Sequence, residues 1–344
     1  MAVNHPVNNF DFWRIAAAVL VLVSHQFALL GKSGPVPIPG VSLGGVGVFI
    51  FFAVSGFLVT QSWQSDPNAV RFVQRRFVRI WPALIVVTLL AALVMGPLVS
   101  ELPAAEYFAR AETLRYFKVL VLNIKYELPG VFLSNPYPRA VNGSLWSIPV
   151  EVRWYWVTLF AGLLGLLRVR AAVLASMLAL ALFHFWIYGA ESNPTRNYGI
   201  EYGLFFVYGA CLQLYRSAWE DRRLRLAPPL AAVAALFAML GHPLVALWVF
   251  LPFAVIATGV ASTPVIRRVG RFGDFSYGFY IYAFPVQQLA IWATSASLPL
   301  PAYLALSAAA TTVLALLSWH LVEKPALRFK PGRPQRPFSS PAIA

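Results

Sequence analysis

The chain has 344 residues, of which 59% are hydrophobic and only 12% charged, and its mean hydropathy is +0.67. That balance excludes a soluble globular domain and predicts a polytopic membrane protein. The net charge of +14 does not signal nucleic-acid binding, because the basic residues form short clusters between apolar runs rather than one continuous face. A single cysteine, Cys211, excludes an internal disulfide and a cysteine-rich metal site.

Apolar runs of a length that crosses a hydrocarbon core, roughly 17–25 residues, fall at 12–30, 41–62, 80–99, 145–167, 171–188, 199–215, 228–243, 245–262, 275–293 and 303–321. The start, "VNNFDFWR", has no basic leader or cleavage site and reads as uncleaved. Basic residues gather in alternate connections, around Arg71 to Arg79, Arg168, Arg216 to Arg225, Arg267 to Arg271 and after Lys324. The positive-inside bias then puts both termini in the cytoplasm. The expected fold is an all-α polytopic membrane helix bundle of about ten transmembrane helices, in the cell inner membrane. Runs 171–188 and 228–243 are the weakest, short enough to be tilted or re-entrant.

The segment 100–144 is the one long extramembrane connection, and it ends in the turn-rich "SNPYPRAVNG". Its Tyr107, Tyr116, Tyr126 and Tyr137 suit either sugar stacking or anchoring at the membrane interface. Residues 1–329 are read as the membrane domain and 330–344, rich in Pro and Ser, as a disordered cytoplasmic tail.

Ionisable side chains inside spans are costly and mark function when they face a bundle interior. Arg14 stands near the start of the first run and His25 eleven residues on, about 16 Å away along a helix. Glu151, in the fourth run, is expected at a depth similar to that of His25, so the two form a predicted His-carboxylate couple. In such a couple the imidazole takes a proton from a hydroxyl while the carboxylate fixes its tautomer. A structural reading stands beside it: His25 as a core histidine and Glu151 paired with Arg153, although a spacing of two points those side chains to different faces.

"RFVQRRFVRIWPAL", at 71–84, reads as a basic inner loop with Arg76 and Arg79 on one helical face. Such arginine forks suit a nucleotide or pyrophosphate, and lipid phosphates as well. In "GGVGVFIFFAVSGFLV" the small residues serve close packing first, and Ser55 with Gly56 could leave room for a ligand. No metal site is predicted: His5, His184, His242 and His320 lack ligand-like spacing.

Together these residues resemble the acyltransferase-3 family of integral membrane acyltransferases, stand-alone surface-polysaccharide O-acetyltransferase type. The resemblance rests on "NNFD" followed by Arg14 and His25; on Ser55, Gly56 and Phe57; on Arg76 and Arg79 followed by Trp81 and Pro82; and on "NGSLWSIPVE", which ends at Glu151. "FSYGFYIYAFPVQQ" and "SWHLVEKP" extend it to about residue 325 in the same order. Many relatives have a histidine shortly before the proline that is Pro285 here, where this chain has Ala283 and Phe284.

The resemblance implies acyl transfer, most simply of acetyl, from cytoplasmic acetyl-CoA or another acyl-CoA to a hydroxyl of an extracytoplasmic carbohydrate. It implies no tightly bound cofactor. Arg14, Arg76, Arg79 and Ser55 would bind the donor, and His25 oriented by Glu151 would act as general base; a covalent acyl intermediate stays open. The implied partners are acyl-CoA, a carbohydrate acceptor and the lipid bilayer, with polysaccharide-assembly proteins open and nucleic acid excluded. Competing readings are a transporter or flippase of an anionic glycolipid, and an acyltransferase acting on a small secondary metabolite.

Overall fold

The computed structural model describes residues 8–188 and 198–332. The expectations for His5 and the tail beyond residue 332 lie outside the described residues. Among those described, ten helices of 17 residues or more run in chain order: α1 (Phe10–Leu29), α2 (Leu43–Ser65), α3 (Ala69–Leu89), α4 (Ser147–Leu163) and α5 (Arg170–Tyr188), then α6 (Tyr198–Leu214), α7 (Arg223–Met239), α8 (Pro243–Gly259), α9 (Ser276–Ala293) and α10 (Leu300–Ser318). Each apolar run falls on one of them.

Five stretches, Phe10–Leu29, Leu43–Ser65, Ala69–Val99, Arg170–Ile187 and Leu300–Phe329, are long and apolar enough to cross a membrane. The weak run at 171–188 is thus one of them. The run at 228–243 is not, its helix α7 being 17 residues long with Arg223 and Arg225 in its first turn, and neither are the runs at 145–167, 199–215, 245–262 and 275–293.

The basic stretch at 71–84 is not a loop. Asn68 caps α3 by accepting the backbone N–H of Arg71, so the arginines ride the first turns of a helix whose apolar remainder buries Ala83, Leu84 and Val87. Small residues set the centre of the bundle. A Cβ on Gly56 of α2 would lie 1.9 Å from Phe206 O on α6, and one on Gly209 of α6 would lie 2.1 Å from Ala53 O on α2. The two backbones therefore touch, which only glycine permits. Packing, the first expectation for this stretch of α2, holds at Gly56.

Positions can be compared along the bundle through side-chain contacts. Helices α1 and α9 run parallel, with Arg14 bonded to Asp274, His25 against Phe284, and Gln26 against Gln287. Helix α2 runs antiparallel to α1, with Gly44 beside Ser24 and Phe57 against Phe10. The end at which α1 begins is called basal here and the other distal.

At the distal end the segment after α3 builds its own small core around Tyr107, Tyr116, Val131 and Phe132. Two of its four tyrosines, Tyr107 and Tyr116, are therefore packed away, whereas Tyr126 and Tyr137 are exposed. The segment is tied to α9 by Asn135, which donates to Gln288 Oε1, and by Gln288, which donates to the carbonyls of Tyr137 and Ala140. It then dips into the bundle. Asn142 donates to Ile281 O, and Ser147, the first residue of α4, meets Tyr280 Oη at 2.7 Å, so Asn142 and the short 3-10 turn Gly143–Trp146 that leads into α4 reach the lower half of α9. Val141, Asn142, Ser144 and Leu145 are buried there. Irregular backbone at such depth requires enclosure by protein. Helix α4 consequently starts inside the bundle, not at its distal face.

Candidate active site

At the basal end, arginines from two helices converge on one carboxylate. Arg14 of α1 and Arg79 of α3 each place a guanidinium nitrogen 2.9 Å from Asp274 Oδ2. Arg14 also reaches Asp11 at 3.3 Å, and Arg79 lies 3.8 Å from Glu323 with its guanidinium over the Tyr277 ring. Burial pushes the Asp274 carboxyl up, but Arg79 and Arg14 outweigh it and hold the group well below the usual carboxylate range. Arg71 and Arg75, nearer the start of α3, are committed to Asp66.

Arg76 is placed differently. Its guanidinium lies 5.6 Å from the centre of the Tyr155 ring and 5.9 Å from that of Phe72. Its buried Nε has no hydrogen-bond partner, and no carboxylate among the described residues is within ion-pair distance. Tyr155 also donates to Glu151 Oε1, the same oxygen that accepts from Ser55 at 2.8 Å. Ser55, Glu151, Tyr155 and Arg76 thus form one cluster, with the two charges on either side of a single tyrosine.

The expected couple between His25 and Glu151 is not formed. The pairing of α1 with α2 sets Ser55, and the carboxylate it touches, about level with Phe12, roughly 20 Å below His25 at the rise of a helix. The error is one of depth: α4 begins inside the bundle, so a residue one turn into it lies far from the distal face. His25 packs edge-on against Phe284, with ring centres 5.2 Å apart, and its buried Nδ1 has no partner. One residue further on, Gln26 accepts from Gln287 at 2.9 Å and from Ser307 at 3.2 Å, and Gln287 also donates to Leu22 O. That network ties α1, α9 and α10 together at the depth of the histidine.

Among the proposed donor residues, Arg14 and Arg79 are brought together, while Arg76 and Ser55 belong to the Glu151 cluster beside them. Sequence reasoning missed Asp274, Tyr155 and the Gln26–Gln287 pair. Tyr155 stands four residues after Glu151, a spacing that puts both on one helical face. The glutamines carry no charge, so the cost of burying ionisable groups in a span does not single them out. Asp274, in a connection, had no signal of its own. Among the described residues no group of three or more His, Cys, Asp or Glu converges as a metal site would.

Two polar layers, the basal arginines and the partly buried His25, thus stand at different depths on α1, in the part of the chain that family comparison also covers: a model of an acyltransferase domain matches residues 7–320. The chain belongs to the acyltransferase-3 family. An O-acetyl transferase of Shigella phage Sf6 is 31% identical over 93% of this chain and 96% of its own length. Nodulation protein 10 of Rhizobium leguminosarum bv. viciae is 28% identical over 94% of each chain. The peptidoglycan O-acetyltransferase OatA of Listeria monocytogenes is 24% identical over 93% of this chain and 55% of its own length. No solved structure matches the chain. Membership in the acyltransferase-3 family makes the protein a membrane enzyme of the O-acetyltransferase type.

Proposed function

We propose that the protein takes an acetyl group from cytoplasmic acetyl-CoA at its basal end and delivers it to a hydroxyl of an extracytoplasmic carbohydrate, a surface polysaccharide or its lipid-linked precursor. The observation that carries this reading is the placement of Arg14 and His25 on one helix, α1. The arginine sits in a basal cationic layer with Arg79 and Arg76, and the histidine is about 16 Å further up with a free ring nitrogen. A thioester at the end of a long arm, anchored by its phosphates, spans that separation. His25 then acts as general base, taking the proton of the acceptor hydroxyl as its oxygen attacks the thioester carbonyl and the thiolate of CoA departs. Glu151 serves the donor side, by holding Tyr155 beneath Arg76.

The carbohydrate class rests on relatives: OatA is named for peptidoglycan and the phage protein for O-acetyl transfer. The clustering of Lys and Arg supports ten spans with both termini cytoplasmic, in the inner membrane. The test is release of CoA thiol from acetyl-CoA by the protein in nanodiscs, with a crude surface glycan as acceptor. Glycan-dependent release that disappears in correctly inserted His25→Ala protein is expected. Retained release in that variant would sink the role of His25, and glycolipid transport without acetyl-CoA consumption would favour a flippase.

A further inference from the structure

The arginines that meet the donor in this reading already hold an anion. Asp274 Oδ2 is shared between Arg14 Nη1 and Arg79 Nη2, both at 2.9 Å, and Oδ1 accepts from Ser276 Oγ at 2.7 Å. One oxygen between two guanidinium groups from two helices is the arrangement a phosphate oxygen makes with a pair of arginines. The site is not sealed: the side chains of Arg14 and Arg79 are each 22% exposed and that of Asp274 is 16% exposed. Arg76, one turn before Arg79 on α3, has no counter-charge within ion-pair distance among the described residues.

We infer that Asp274 is an internal counter-anion seated where an anionic group of the acyl donor binds, and that the donor must displace it from Arg14 and Arg79. The inference rests on the proposed use of acyl-CoA. Arg76 makes the first, unopposed contact with the donor. Exchange at Arg14 and Arg79 follows only for a donor that replaces both charge-assisted hydrogen bonds, so Asp274 keeps the two arginines paired until such a donor arrives and sets how tightly it is held. Asp274 competes with the donor for these arginines, so removing its charge strengthens binding; a carboxylate that merely positioned them would have the opposite effect when removed.

The test compares acetyl-CoA with acetyl-pantetheine, which carries no phosphate, as donors for wild-type, Asp274→Asn and Asp274→Glu protein in nanodiscs, with CoA binding measured in parallel. In Asp274→Asn the KM for acetyl-CoA and the Kd for CoA should fall about tenfold, the worth of roughly one charge-assisted hydrogen bond. The KM for acetyl-pantetheine should not move, and Asp274→Glu should restore the wild-type values. A KM for acetyl-CoA that rises or stays the same, or a loss of kcat with both donors alike, overturns the inference. If Asp274→Asn fails to fold, Ser276→Ala, which releases Oδ1, must lower the KM for acetyl-CoA by a smaller factor; no fall there overturns it too. A wild-type protein that neither binds CoA nor releases thiol would sink the acyl-CoA reading itself, and the inference with it.

Discussion

His25 and Glu151, joined by the sequence, are separated by the fold, and the separation is measurable. His25→Ala should lower kcat by about 10²–10⁴-fold, the usual worth of a general base, with little change in CoA binding. Glu151→Gln should instead weaken CoA binding and leave the pH profile of the residual activity unchanged, because the carboxylate touches Ser55 and Tyr155 rather than the imidazole. Tyr155→Phe removes the hydroxyl bond to Glu151 but keeps the ring under Arg76, so its KM for acetyl-CoA should lie between those of wild-type and Glu151→Gln. Donor-binding assays with each variant check the order. Charged residues in apolar runs could be found by inspection; their partners could not, because Asp274 and Glu323 are far from Arg79 in the chain and meet it only through packing.

Among the elements, the α2–α6 contact and the α2–α3 turn carry separate burdens. Gly56→Ala puts a methyl group where Phe206 O stands 1.9 Å away, so it should destabilise the protein by at least about 1–3 kcal/mol, the cost of overpacking, read as a lower thermal midpoint in detergent. In the turn, hydrogen bonds from Arg71 hold the Asp66 carboxyl well below its usual range, against burial, with Arg75 assisting. A depressed carboxyl stabilises the fold at every pH above its unfolded value, near 3.9, and the contribution is lost as pH falls through the folded value. Asp66→Asn should therefore lower the midpoint at neutral pH and narrow the gap to wild-type below about pH 4. Helix positions were legible because hydrophobicity marks what lies in lipid or core. The depth of α4 was not, since Val141 and Leu145 read the same in sequence whether the turn that leads into the helix lies at the distal face or within the bundle.

For the whole molecule, the distribution of Lys and Arg predicts that the basal end faces the cytoplasm. Single cysteines at Arg328, next to that end, and at Tyr137, exposed in the distal segment, should label from opposite sides of intact spheroplasts with a membrane-impermeant maleimide. The native Cys211 is buried and should contribute little background. Labelling of both positions from one side would overturn the orientation. The whole-chain order of motifs was readable before any coordinates, because each motif marks a short local element. The convergence of those elements on two polar layers required the fold.

The stretch that dips into the bundle before α4 also bears on how the protein is made. Its anchors are distant in the chain: Asn135 to Gln288, Asn142 to Ile281 and Ser147 to Tyr280 are 153, 139 and 133 residues apart. At a synthesis rate of about 5–20 residues per second, the buried groups of this stretch wait on the order of ten seconds or more for α9 to emerge. During that interval Asn142 and Ser147 lack the partners that make their depth tolerable. The turn between the distal segment and α4 is therefore one of the last parts of the molecule to close, and a nascent chain halted before α9 has Arg14, Arg76 and Arg79 and no finished site.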